Sequence, residues 1–128
     1  MARRRSVNIQ EFQHSNPIPN ASRVGNMVMT GAILGRNTAT GETPETLQGQ
    51  CALMFEHMRS IIEAAGGSTD DIIKVTVWMK DPAQRDVVNA EWTKMFPDPA
   101  SRPARHTLPD AQDWPYLVSC DFTAVIGD

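Results

Sequence analysis

Cysteine and histidine are both scarce in this chain. The two cysteines, Cys51 and Cys120, lack the spaced Cys or His companions of a zinc site. Both fall on the apolar face of a predicted helix or strand, the setting of buried free thiols in a reducing compartment. His14, His57 and His106 show no ligand spacing either, so a metal site is not expected. Long hydrophobic runs are missing. No stretch reaches membrane-spanning length and the N-terminus lacks the apolar core of a signal peptide, so a cytoplasmic protein with no membrane partner is expected. An excess of positive charge is missing too. The formal net charge is −3, and the Arg3-Arg4-Arg5 cluster is short and terminal, a solvated tail. Nucleic acid is therefore not expected as a partner.

What remains is an ordinary soluble composition, 41% hydrophobic and 21% charged, in 128 residues that suit one domain over 1–128. Arg5 to Gln10 reads as a short first strand, and Asn16-Pro17-Ile18-Pro19-Asn20 as a loop. Gly25-Asn26 between Arg23-Val24 and Met27-Val28-Met29-Thr30 reads as a hairpin turn, with Gly31 directly after it. Thr43, Pro44 and Glu45 read as the start of a helix. Its apolar stripe runs through Leu47, Cys51, Met54, Phe55, Met58, Ile61, Ile62 and Ala65, and Gly66-Gly67 ends it.

Ile73, Val75, Val77 and Met79 then alternate with Lys74, Thr76, Trp78 and Lys80, a strand with one face on a core. A second helix is predicted from Pro82 to Phe96, with Val88, Trp92, Met95 and Phe96 on one side. Arg105 to Leu108 is predicted as a short strand ending at Pro109. The final strand, Tyr116 to Ile126, puts Val118, Cys120, Phe122, Ala124 and Ile126 on one face. The order is β-β-β-α-β-α-β-β: an α+β fold, one six-stranded mixed sheet with two helices on one face. The other face carries Trp78, Leu117, Thr123 and Val125, too apolar for open water, which suggests subunit contact in a closed oligomer.

Arg105 stands out among the candidate site residues. It follows Phe96-Pro97-Asp98-Pro99-Ala100-Ser101-Arg102-Pro103-Ala104, where three prolines stiffen the approach. An arginine on a short strand behind a rigid loop can offer its planar fork to a carboxylate. The same spacing fits a surface or an ion-paired arginine. His106 alternates with it and is expected as a packed histidine facing the other way, while His14, on the loop with Ile18, is placed to reach a pocket mouth.

Taken together, these motifs make the chain resemble the YjgF/RidA family of small trimeric proteins. The residues that carry the resemblance include Gly25-Asn26-Met27, Thr30-Gly31, Thr40-Gly41, Glu63-Ala64-Ala65-Gly66 and Asp71-Ile72-Ile73-Lys74-Val75-Thr76-Val77. Asp81, Val88-Asn89, Phe96 and Pro103-Ala104-Arg105 complete the set. The resemblance implies a chorismate-mutase-like fold and a homotrimer with clefts between subunits. It also implies hydrolysis of 2-imino or 2-enamino acids to 2-oxo acids and ammonia, without metal or organic cofactor. By the same resemblance Arg105 grips the substrate carboxylate. Thr30, Gly31, Asn89 and Thr107 line the cleft, with Thr107 where most members carry cysteine.

Two positions depart from the pattern. Ser119 stands where active members carry a glutamate, and Ile18 where many carry a tyrosine. A serine can hold water but cannot act as a carboxylate base, so Ser119 is the weak catalytic candidate beside Arg105. Asn16-Pro17-Ile18-Pro19, Met95-Phe96-Pro97-Asp98 and Arg102-Pro103-Ala104-Arg105-His106-Thr107 together resemble the branch that includes 2-aminomuconate deaminases. Such a dicarboxylic substrate suits a second cation, for which Arg102 and Arg23 are the candidates, Arg102 being as well read as a loop residue. The alternative reading is a non-catalytic trimer that binds small carboxylates or serves as an interaction module.

Overall fold

A computed structural model describes residues 3–127. The chain forms β1 (Arg5–Val7), β2 (Ala21–Val24), β3 (Met27–Thr30), β4 (Ile33–Leu34) and α1 (Leu47–Ala64). It continues as β5 (Ile72–Met79), α2 (Arg85–Met95), β6 (Ala104–Pro109) and β7 (Val118–Val125). The sheet order is β1-β2-β3-β7-β5-β6, with β4 also on β7. Among the described strands, β5 and β6 are the pair that runs parallel. Such a pair needs a crossover, and α2 supplies it. Both helices lie on one sheet face and pack on each other, as the sequence pattern predicts. Among the described residues no helix is long and apolar enough to cross a membrane.

The core follows the predicted stripes. Cys51, Met54, Met58, Ile61 and Ile62 of α1 are fully buried against Val75, Val77, Met79, Cys120 and Phe122. Each large side chain so buried is worth about 1.5–3 kcal/mol. Gly25 turns the β2–β3 hairpin at φ +57°, while Asn26 keeps a negative φ. Glycine at the first central position alone is the type II′ arrangement.

The structure corrects several sequence expectations. The first strand stops at Val7 rather than Gln10, because the Ile9 N–H donates to Asn20 Oδ1 at 2.8 Å instead of to a neighbouring strand. Helix α1 starts after Thr46, whose Oγ1 accepts from the Gly49 N–H at 3.0 Å. Pro44 lies outside the helix. Its carbonyl accepts from Nε2 of buried Gln50 at 3.0 Å, and Gln50 Oε1 accepts from the Leu117 N–H at 2.8 Å. That clamp ties the helix entry to the approach to β7 and draws Thr43 away from the cap.

In β5 a register shift between Ile72 and Lys74 buries Ile72 and exposes Ile73, reversing the simple alternation at that end. The second helix is preceded by a separate 3₁₀ turn, Pro82–Gln84, capped by Asp81. The two-residue strand β4 is too short for periodicity to reveal. His106 is exposed, not packed, because β6 is an edge strand whose outer face nothing covers within one chain. The packed histidine is His57, stacked on Phe12 with ring centroids 5.3 Å apart.

On the sheet face away from the helices, Met27 (50% exposed), Met29 (57%), Trp78 and Val125 stand open. Ile73 is exposed at the bulge beside them.

Backbone comes close to backbone at Gly35. A Cβ there would come within 2.6 Å of the Gln50 Cα on α1, and backbone cannot swing aside as a side chain can. Gly35→Ala is expected to lower stability by about 1–3 kcal/mol, read from the midpoint of urea unfolding. An unchanged midpoint would show that the β4 segment can part from α1 at no cost.

Candidate functional site

Arg105 lies on edge strand β6, opposite Val75 of β5, so its side chain leaves the sheet on the helix side. There α2 meets it. Asn89 and Trp92 are three residues apart and share one helix face. Arg105 Nη2 donates to Asn89 Oδ1 at 2.6 Å, and the guanidinium carbon sits 4.9 Å from the centre of the Trp92 ring. Trp92 is braced edge-on by Phe96, 4.8 Å away between ring centroids.

No carboxylate pairs with Arg105. Among the described residues the one ion pair is Lys94 with Glu91. This excludes the ion-paired reading. Burial, followed by the positive charge of Arg85, lowers the Arg105 pKa, although a guanidinium stays charged in proteins. A half-buried cation held only by neutral partners is electrostatically incomplete. What it lacks is an anion.

Thr107 follows on the same strand face, two residues along. Arg105, Asn89, Trp92 and Thr107 therefore form one cluster. The remaining candidates are elsewhere in the chain. Thr30 lies on the same cross-sheet rung, through Phe122 and Val75, but three strands away. That is about 14 Å at roughly 4.8 Å per strand. Its Oγ1 accepts the Phe122 N–H at 3.0 Å. Gly31 follows it, with its N–H on Asn20 O at 3.0 Å, and this anchors the loop that carries exposed Ile18.

Ser119 is buried on β7 opposite Trp78 and Leu34. Its face is the one away from Arg105, shared with Asp121. Arg102 donates to Phe96 O at 2.8 Å and Pro97 O at 3.4 Å, tying the proline loop to the end of α2. Arg23 donates to Gly25 O at 2.8 Å and to Ala65 O at 2.5 Å, at the C-terminal end of α1. Both alternatives for a second cation are engaged with main-chain carbonyls.

Trp92 was legible as a core residue but not as the support beneath Arg105. The three-residue step from Asn89 is the signal that links them. Arg36 and Tyr116, hydrogen-bonded at 3.1 Å, were also missed, since neither belongs to a motif. His14 does reach a cavity, beside Gly31.

A family profile described as Endoribonuclease L-PSP matches residues 8–112. A RutC family protein of Haemophilus influenzae is 39% identical over 80 residues, 62% of each chain. The 2-iminobutanoate/2-iminopropanoate deaminase of Escherichia coli K12 is 36% identical over 83 residues, 64% of this chain and 65% of that one. The matched stretch thus spans a little under two thirds of these relatives' own length. The structure of RidA from an Antarctic Psychrobacter superposes with a TM-score of 0.87 at 27% identity, covering 95% of this chain and 99% of that one. The yjgF gene product of E. coli gives 0.84 at 27% identity, covering 94% and 98%.

Neither thiol is built for nucleophilic work. Burial, and then the charge of Glu91, push the Cys51 thiol up to about 12. Burial first, and then Asp121, hold Cys120 well above the ordinary thiol range. Titration with a disulfide reagent at pH 8 is expected to find almost no reactive thiol in the native protein and both in denaturant. Rapid modification of the native chain would contradict this placement.

Proposed function

We propose that this chain, which belongs to the Endoribonuclease L-PSP (YjgF/RidA) family, hydrolyses a carboxylate-bearing enamine or imine to a 2-oxo acid and ammonia. The observation that carries this reading is Arg105, a half-buried cation on Asn89 and Trp92 with no acid of its own. The names of the E. coli deaminase and of the Arabidopsis thaliana Reactive Intermediate Deaminase A support the reaction class. The substrate we favour is a dicarboxylic enamine of the 2-aminomuconate type.

The chemistry asks for little beyond positioning. An enamine gains a proton on carbon to become the imine. Water adds to the C=N carbon, and the resulting amino-alcohol expels ammonia as its hydroxyl becomes the carbonyl. Arg105 holds the neighbouring carboxylate and fixes the reacting carbon, and Thr107 stands on the same face to hold water. Ser119 adds a hydroxyl but no base.

Thr30, Gly31 and Ile18 cannot reach a small molecule on Arg105 within one chain, which favours a homotrimer whose clefts join the two half-sites. The apolar outer face, with Met27, Met29 and Val125, is the surface we assign to subunit contact. We place this enzyme in the cytoplasm. The RNA cleavage in the family's name finds little support in a chain of net charge −3.

Arg105→Ala is expected to cut ammonia release by about 10²–10³ without loss of assembly. Full activity in that variant would sink the mechanism. Carboxylate binding without ammonia release by the wild type would instead mark a non-catalytic binder. In light scattering the wild type is expected at the mass of three chains, and Met29→Glu at a lower one. A wild type that stays active at the mass of one chain would rule out the shared cleft.

A further inference from the structure

We infer that the cavity beside Gly31 is a second carboxylate subsite, built on Arg36, Tyr116 and His14, and that it selects a dicarboxylic substrate. This rests on the deaminase reading above and supplies the second cation that Arg23 and Arg102 do not.

The cavity encloses about 410 Å³ between Phe12, His14, Leu34, Arg36, Thr38 and Tyr116. Among the described residues no acidic one lines it, and Arg36 is the formal charge there. Arg36 is firmly placed. Its carbonyl accepts from His57 Nε2 at 2.7 Å, and its Nη1 donates to the Tyr116 hydroxyl at 3.1 Å. Having accepted that bond, the tyrosine keeps its own proton to donate.

Two polar atoms at this site are buried without a partner, Arg36 Nε and His14 Nε2. Unmet buried donors and acceptors are costly, so either side chain gains by turning toward a partner held in the cavity. The His14 ring stands edge-on to Phe12, 5.1 Å between centroids. Burial lowers its pKa, which favours the neutral imidazole beside Arg36. A cation, a phenol donor and a neutral imidazole together fit a planar carboxylate.

The cavity also adjoins the half-site that lacks Arg105. A Cβ on Gly31 would sit 3.8 Å from His14 Nε2, and Leu34, in the cavity wall, pairs with Ser119. Each half-site then contributes one arginine without an acid partner: Arg105 for the carboxylate beside the reacting carbon, Arg36 for the one at the far end. A monocarboxylic imine would leave Arg36 unused.

Calorimetric titration with muconate, pyruvate and inorganic phosphate tests this on the wild type, Arg36→Gln and Tyr116→Phe. Muconate is expected to bind about 10- to 100-fold more tightly than pyruvate. Arg36→Gln should erase that advantage while leaving pyruvate affinity unchanged. Tyr116→Phe, which keeps the arginine, should erase part of it. Equal affinity for the two acids, or equal loss of both in Arg36→Gln, would overturn the subsite. Phosphate binding as tightly as muconate would overturn it as well, by showing a free-anion site. Absence of ammonia release from 2-iminopropanoate and 2-aminomuconate would overturn the deaminase reading alone, and the binding comparison would still decide the subsite.

Discussion

A guanidinium taken partly out of water and given only neutral partners is the constraint on which this molecule turns. Arg105 costs less than an isolated buried charge because Asn89 accepts from it and Trp92 lies beneath it. Both supports come from α2. That helix exists in its place because β5 and β6 are parallel and need a crossover between them. The element that closes the topology therefore also holds the cation. The proline loop leading into β6 is tied back to the end of α2 by Arg102, so the strand carrying Arg105 is fixed from both directions. Arg85 nearby deepens the local positive potential and makes an incoming anion more favourable still.

The same sheet that fixes Arg105 keeps it from the residues expected to work with it. Phe122 and Val75 lie between Thr30 and Arg105 on one rung, and both are core. Ser119 is on the opposite face. A chain so arranged sets the Arg105 cluster apart from Thr30 and Ser119, which is the ground for the shared cleft we propose. The exposed methionines and Val125 on the outer face leave apolar surface open, the surface we assign to subunit contact. With Arg36 held by the neutral Tyr116 hydroxyl beside the proposed second carboxylate subsite, the charge pattern suits a ligand with an anionic group at each end.

Much of this was legible in the sequence. Core stripes such as Cys51, Met54, Met58 and Val118, Cys120, Phe122 carry their periodicity openly, and the prolines around Arg105 mark a rigid approach. What escaped did so for local reasons. A buried glutamine, Gln50, moved the start of α1 by taking the Pro44 carbonyl. One register shift turned Ile73 outward. Asn20 cut β1 short by capturing the Ile9 N–H. Each is a side-chain or register event that no hydrophobic pattern encodes. The Arg105 cluster was half legible, since Asn89 and Arg105 belong to the resemblance whereas the stacking on Trp92 depends on how α2 crosses β6. Arg36, Tyr116 and His14 are far apart in the chain and meet only in the fold.

The most direct measurement is a crystal structure of the protein with a 2-oxo acid bound. The account predicts the carboxylate in bidentate contact with Arg105, and a second copy of the chain supplying Thr30 and Gly31 to the same cleft. A carboxylate bound away from Arg105, or a site completed within one chain, would contradict it.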